Sequence, residues 1–163
     1  MDKKDRKILK LLEQDVGMVH KDIAIITELT EDEVKERIRA LEECGIIRGY
    51  KCVVDTERLD DSAVSATIQL KVTPKAELGF DDVARRIAEY PEVEAVALLS
   101  GSCDLSVTVR GRSFQHLSSF VARELATIES VTSTSTQFIM KRYKEHGISF
   151  TDAEADERCV MSL

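Results

Sequence analysis

Two different periodicities divide the chain. Near the N-terminus the apolar residues recur at helical spacing. Ile8, Leu9, Leu11 and Leu12 mark one face of a first helix, the i, i+3, i+4 pattern of an amphipathic segment. Asp2 is placed to cap it, with Asp5 three residues on as a variant of the capping box. A second apolar cluster, Ile23 to Ile26, predicts a second helix. The third has a stronger start. Thr30 is a good N-cap, Glu33 stands at the reciprocal position, and Glu31-Asp32-Glu33 suits the positive end of the helix dipole. Val34, Ile38 and Leu41 carry its apolar stripe, and Gly45 ends it in a left-handed conformation. The last two helices are joined by a short turn, as in a helix-turn-helix. Ile46 to Val54 reads as a strand or extended linker, with a bend at Gly49.

From residue 66 the period changes to two. Ala66 to Val72 alternates apolar and polar residues, as does Asp104 to Arg110, the pattern of half-buried strands. Val93 to Leu99 is a further strand, and Thr132 to Lys144 is extended. Between them lie two helical stripes: Val83, Ala84, Ile87 and Ala88, then Phe114, Leu117, Phe120, Val121 and Leu125. The order β-α-β-β-α-β predicts a ferredoxin-like unit, so the fold class is α+β. Two helices cover one face of such a sheet, and the other face is expected to be covered by a second copy in a homodimer. The predicted boundaries are 1–54 for the head, 55–144 for the ferredoxin-like domain and 145–163 for a polar, acidic tail. That tail reads as a flexible linker with a short added strand at Arg158 to Leu163 as one alternative and disorder as the other.

Composition narrows the function classes. The 163 residues carry a net charge of −7, which argues against a generic nucleic-acid coat. The distribution is uneven: residues 1–54 hold 11 Lys and Arg against 12 Asp and Glu, the remainder 12 against 18. Most of the acidity lies outside the helical head. The N-terminus carries charge without an apolar core segment, and no apolar run is long enough to span a bilayer, so a cytoplasmic protein is expected. Cys44, Cys52, Cys103 and Cys159 form no C-x-x-C pair, and His20, His116 and His146 are scattered. Neither a metal site nor a disulfide framework is expected, and no cofactor. No G-x-S-x-G, P-loop or G-x-G-x-x-G string is present.

Residues 5–55 resemble the winged helix-turn-helix head of the leucine-responsive/asparagine-synthesis regulator (Lrp/AsnC) family. The resemblance is carried by Asp5-x-x-Ile8-Leu9-x-x-Leu12 and by Val34-x-x-Arg37-Ile38-x-x-Leu41-Glu42-x-x-Gly45-Ile46-Ile47-x-Gly49-Tyr50. Ser100-Gly101-x-x-Asp104 and Val131-x-x-Thr134-x-Thr136 resemble the glycine loop and last strand of the family's sensing domain. The resemblance implies a transcription regulator, not an enzyme. It also implies dimers stacked toward octamers and a small-molecule effector, usually an amino acid, held between dimers near the glycine loop.

In such a head the second helix of the motif enters the major groove of double-stranded DNA. Glu31, Asp32, Glu33 and Lys35 occupy its start. The acids either serve only the helix dipole or, as at Glu31, accept from a cytosine amino group. Lys35, Arg37 and Arg39 are the candidate contacts, with Lys21 and Arg48 as phosphate partners. Arg37 has an alternative role, pairing with a carboxylate of the head. Glu28 stands where the family commonly has a glycine in the turn.

On the sensing side, Gly101 allows a tight bend whose amides can receive a carboxylate, and Asp104 can accept from an α-ammonium group. The alternative is a plain hairpin. By resemblance the effector site comprises Ser100, Gly101, Asp104, Thr134, Thr136, Gln137 and Phe138. Gln137, Phe138 and Ile139 have a second reading as sheet core or dimer contact. Leu105 replaces the aromatic residue that the family often has after the aspartate. Two other functions remain open on sequence alone. One is a metabolite-binding oligomer with weak or lost DNA binding. The other is an enzyme like the siroheme decarboxylases that share this architecture.

Overall fold

The computed structural model describes residues 1–56, 58, 63–74 and 79–151. It divides into two units, Met1–Cys52 and Val53–Leu163. The first contains α1 (Lys3–Gln14), α2 (His20–Thr27) and α3 (Glu31–Glu43). Ile8, Ile23, Ala24, Val34 and Ile38 make its core, each contributing through apolar area withdrawn from water. Both predicted capping boxes form. The Asp2 side chain accepts from the Asp5 amide while the Asp5 side chain accepts from the Asp2 amide. Thr30 and Glu33 do the same at α3. At the other end of α3, the Ile46 amide donates to the Leu41 carbonyl and the Gly45 amide to that of Glu42. This is a Schellman closure, and Gly45 supplies its left-handed residue at φ 72°.

The turn between α2 and α3 is less comfortable. Glu28 adopts φ 55° and ψ 48°, a left-handed conformation that crowds any Cβ. Lysines of α1 support this turn: Lys4 Nζ donates to the Glu28 carbonyl at 2.9 Å and Lys7 Nζ to that of Ile26. Cations at a helix C-terminus satisfy its last carbonyls and its dipole. After α3 the chain forms no strand as far as residue 56. Of the two readings for 46–54, the extended linker is the one observed, and the bends fall at Ile46 and Ile47, not at Gly49.

The second unit contains β1 (Val64–Val72), α4 (Asp81–Ala88), β2 (Val93–Leu98), β3 (Leu105–Gly111), α5 (Phe114–Phe120), β4 (Val131–Phe138) and a hairpin of β5 (Lys144–Glu145) and β6 (Ile148–Ser149). A π-helical turn, Val121–Leu125, continues α5. The sheet order β2-β3-β1-β4 is antiparallel throughout, as a ferredoxin-like unit requires. Ala66, Ile68, Leu70 and Val72 of β1 and Leu105, Val107 and Val109 of β3 face the helices and are buried with Ile87, Leu117 and Leu125. Gly111 is needed where α5 returns over β3: a Cβ there would sit 2.6 Å from His116 Nδ1.

The opposite sheet face is polar. Thr67 pairs across with Thr108 and Gln137, and Gln69 with Ser106 and Ser135. An antiparallel sheet can present such a face to water, so hydrophobicity does not by itself demand the cover expected from sequence. The extended reading of 132–144 also changes: β4 stops at Phe138. Part of the expected flexible tail is instead a hairpin, turned by His146 at φ 46° and Gly147 at φ 85°. Positive φ at both central residues is what a two-residue type I′ loop needs. The added strand considered for Arg158 to Leu163 lies outside the described residues.

Replacing Glu28 by glycine removes the left-handed penalty at some cost in unfolded-chain entropy. E28G is expected to stabilise the first unit by about 0.5–1 kcal/mol. Urea unfolding followed by far-UV circular dichroism checks this, and a lower midpoint would contradict it.

Candidate nucleic-acid interface and effector site

The helices of the first unit place the predicted DNA-contacting residues unequally. Val34, Ile38 and Leu41 fix which side of α3 is buried, so Asp32, Lys35, Glu36, Arg39 and Glu43 are exposed. Lys35 bonds Glu31 at 2.8 Å and lies 3.7 Å from Asp32. This pairing lowers the Glu31 pKa and raises that of Lys35. Arg39 lies 3.4 Å from Glu43. Arg37 is turned away from the solvent face. Its Nη1 donates to Asp2 Oδ2 at 2.8 Å and to Asp5 Oδ1 at 2.6 Å. The guanidinium thus joins the capping box of α1 to the middle of α3, the intramolecular alternative foreseen for this residue.

The remaining two are placed differently. Arg48 lies against Gly45, its Cζ 3.2 Å from where a Cβ would stand. Lys21 is exposed in the first turn of α2. Lys35 and Arg39 do share a groove of about 510 Å³ with His20, Glu42 and Tyr50. Tyr50 donates to Glu42 at 2.8 Å, and its pKa is raised by desolvation first and by Glu42 second. The groove therefore mixes signs, and the α3 surface is not a basic one.

In the second unit the Ser100–Asp104 loop joins β2 to β3. Its ends are tied: the Leu99 amide donates to the Asp104 carbonyl and the Asp104 amide to that of Leu70. The register of β1 on β4 slips between Lys71 and Val72, and Asp104 Oδ2 accepts from the Val72 amide at 2.8 Å. One carboxylate oxygen thus satisfies the amide at the bulge. Around Gly101 there is open space, with nothing within 4 Å of a built Cβ. Cys103 is buried, as a small hydrophobe would be.

The four candidate residues on β4 do not share one surface. Thr134, Thr136 and Phe138 pair with Leu70, Ile68 and Ala66, on the helix-covered side, whereas Gln137 pairs with Thr67 on the polar side. Phe138 also packs edge-on against Phe114, ring centroids 4.9 Å apart. Thr134 lies toward the strand end that meets the glycine loop, and Phe138 toward the other end. Strand alternation, which carries successive side chains to opposite faces, accounts for the split.

Comparison with known proteins decides the family. Residues 65–148 match the Lrp/AsnC ligand binding domain and residues 1–48 a winged helix-turn-helix DNA-binding domain. The uncharacterized HTH-type transcriptional regulator YugG of Bacillus subtilis is 41% identical over 160 residues, covering 98% of this chain and 96% of its own. The chain belongs to the Lrp/AsnC family. The chain is also similar to the HTH-type transcriptional regulator FL11 of Pyrococcus horikoshii, 33% identical with 89% and 93% of the two chains covered. A Neisseria meningitidis transcriptional regulator, solved as an L-Met complex, shares the fold. Its TM-score is 0.69 at 23% identity, with 89% of this chain and 93% of that one covered. As an Lrp/AsnC protein the chain is a DNA-binding transcriptional regulator with a ligand-binding domain. That sets aside the decarboxylase alternative. His116 lies 3.5 Å from Glu92, and His146 turns the hairpin. Among the described residues no helix is long and apolar enough to cross a membrane, and no cluster of metal-binding side chains occurs.

Two outcomes follow. Asp2 is held down to about 2 from 3.8, first by the Asp5 amide and then by Arg37. A depressed carboxylate stabilises the fold above its unfolded pKa and loses that contribution as pH falls toward the folded value. The first unit is therefore expected to lose stability between about pH 4 and pH 2, and D2N to flatten that loss in pH-resolved melts. An unchanged profile would contradict the assignment. Separately, D104A strands the Val72 amide and is expected to destabilise the second unit by about 1–2 kcal/mol. Denaturant unfolding measures it, and an unaltered midpoint would show the bond to be unimportant.

Proposed function

We propose that this regulator binds duplex DNA as a homodimer or higher assembly whose arrangement responds to a small effector, most simply an amino acid. The reading rests on one observation. A helix-turn-helix unit and a ferredoxin-like unit that matches a ligand binding domain occur in one chain. The Ser100–Asp104 loop supports an effector with a carboxylate and an ammonium group. Space lies open at Gly101, and the Asp104 carboxylate is fixed in place by the Val72 amide. The L-Met complex of the Neisseria regulator makes amino acids the first class to try. Ser100, Gly101, Asp104 and Thr134 are the proposed contacts from this chain. Thr136, Gln137 and Phe138 are assigned to transmitting or assembling roles on β4.

Dimerisation is proposed through the polar sheet face. Ala95, Ala97, Ser106, Ser133 and Ser135 are small, which keeps that face flat enough for a second sheet to approach. An octamer built from such dimers would present several heads to DNA, and linked weak sites gain affinity through effective concentration. The effector then acts by favouring one assembly over another, typically by about 1–3 kcal/mol. The proposed cellular site is the cytoplasm. A second reading, a metabolite-binding oligomer with weak DNA binding, is favoured by the acidic start of α3 and the internal pairing of its cations.

Gel retardation with DNA from upstream of the gene, across a salt series and with pooled amino acids, tests both. Binding that weakens with salt and shifts with the pool is expected. An intact oligomer that retains no DNA at low salt in either condition would leave the second reading.

A further inference from the structure

The recognition helix is a poor source of positive charge, and α1 is a good one. Of the 11 lysines and arginines in residues 1–54, five belong to α1: Lys3, Lys4, Arg6, Lys7 and Lys10. Lys3, Arg6, Lys7 and Lys10 recur at i, i+3, i+4 and i+7, which places them on one side of a helix. All four are exposed, and Ile8 on the far side is fully buried. Lys3, Arg6 and Lys10 have no ion pair among the described residues. Asp2 and Asp5 are committed to Arg37, leaving Glu13 at the margin as the acid on this helix.

We propose that the outer face of α1, formed by Lys3, Arg6, Lys7 and Lys10, is the phosphate-binding surface of the head and docks on the backbone of duplex DNA. The proposal rests on the DNA-binding reading and assigns where its electrostatic part resides. Position supports it. Lys4 and Lys7 reach the carbonyls of Glu28 and Ile26, so the basic helix borders the turn that leads into α3. Scale supports it too. Residues 3 to 10 of a helix span about 10 Å, the axial rise of roughly three phosphates on one strand. By contrast, Glu31, Asp32 and Glu33 begin α3 and repel phosphate there. The division of labour is that α1 supplies sequence-independent attraction while α3, its cations paired internally, meets base edges.

The test uses the full-length protein and duplex DNA, with affinity measured by fluorescence anisotropy across a salt series. The triple variant K3Q/R6Q/K10Q leaves Lys7 on its carbonyl and keeps good helix formers at exposed sites. Its plot of log affinity against log salt is expected to be shallower by roughly three per bound head. Its affinity at low salt should fall on the order of tenfold or more. K3R/K10R should bind as wild type. K35Q/R39Q should change the slope by less than half as much as the triple variant. If wild type binds and the triple variant keeps the wild-type slope, the proposal is overturned while DNA binding stands. If the triple variant alters oligomer size but not the slope, the stripe faces an acidic protein surface and the proposal is equally overturned. If wild type itself retains no DNA at low salt, the DNA-binding reading fails first.

Discussion

The bond from Arg37 to Asp2 and Asp5 organises the head. A single guanidinium nitrogen donates to both carboxylates of one capping box, so the start of α1 is fixed to the middle of α3. The same bond decides the electrostatics of the surface. It commits the Arg37 cation internally and occupies the two acids that would otherwise oppose the lysines of α1. Charge-assisted bonds of this kind are among the stronger polar contacts. They fix geometry as well as charge, because the capping box that Arg37 reads exists only when α1 is helical.

In the second unit, one side chain has a comparable organising role. The slip in register between Lys71 and Val72 leaves an amide without its ladder partner, and Asp104 accepts from it. The β2–β3 connection is thereby held to the end of β1. A loop held by its far residue can stay open at its near residues, and the space at Gly101 fits that description. The sheet separates two environments. Apolar side chains of β1 and β3 fill the helix-covered side, while hydroxyls and amides line the other. Assembly on that second side would join polar surfaces of small side chains, where fit and hydrogen bonding matter more than apolar area.

Much of this was legible in the sequence because it is local. Both capping boxes, the glycine stop at Gly45 and the β-α-β-β-α-β order depend on residues within a few positions of one another. The Arg37 bond spans more than thirty residues, and from the string it stood only as one of two readings. Glu28 in a left-handed turn ran against local propensity, which tertiary packing and two lysines override. The hairpin at His146-Gly147 was missed because its strands are two residues each, too short for any periodicity to register. Position along the chain groups the effector residues of β4, but alternation puts Gln137 on the face opposite Thr134, Thr136 and Phe138. The basic face of α1 was also legible at i, i+3, i+4, i+7. The family resemblance points instead to the second helix of the motif, whose start here is acidic.

Internal pairing occupies the cations of α3, and phosphate attraction is assigned to α1. Acylation footprinting of the full-length protein by mass spectrometry, with and without duplex DNA at low salt, tests that assignment most directly. Duplex DNA is expected to slow modification of Lys3 and Lys10, whether or not Lys35 is also shielded where α3 meets the bases. Protection of Lys35 with Lys3 and Lys10 unchanged would contradict the assignment.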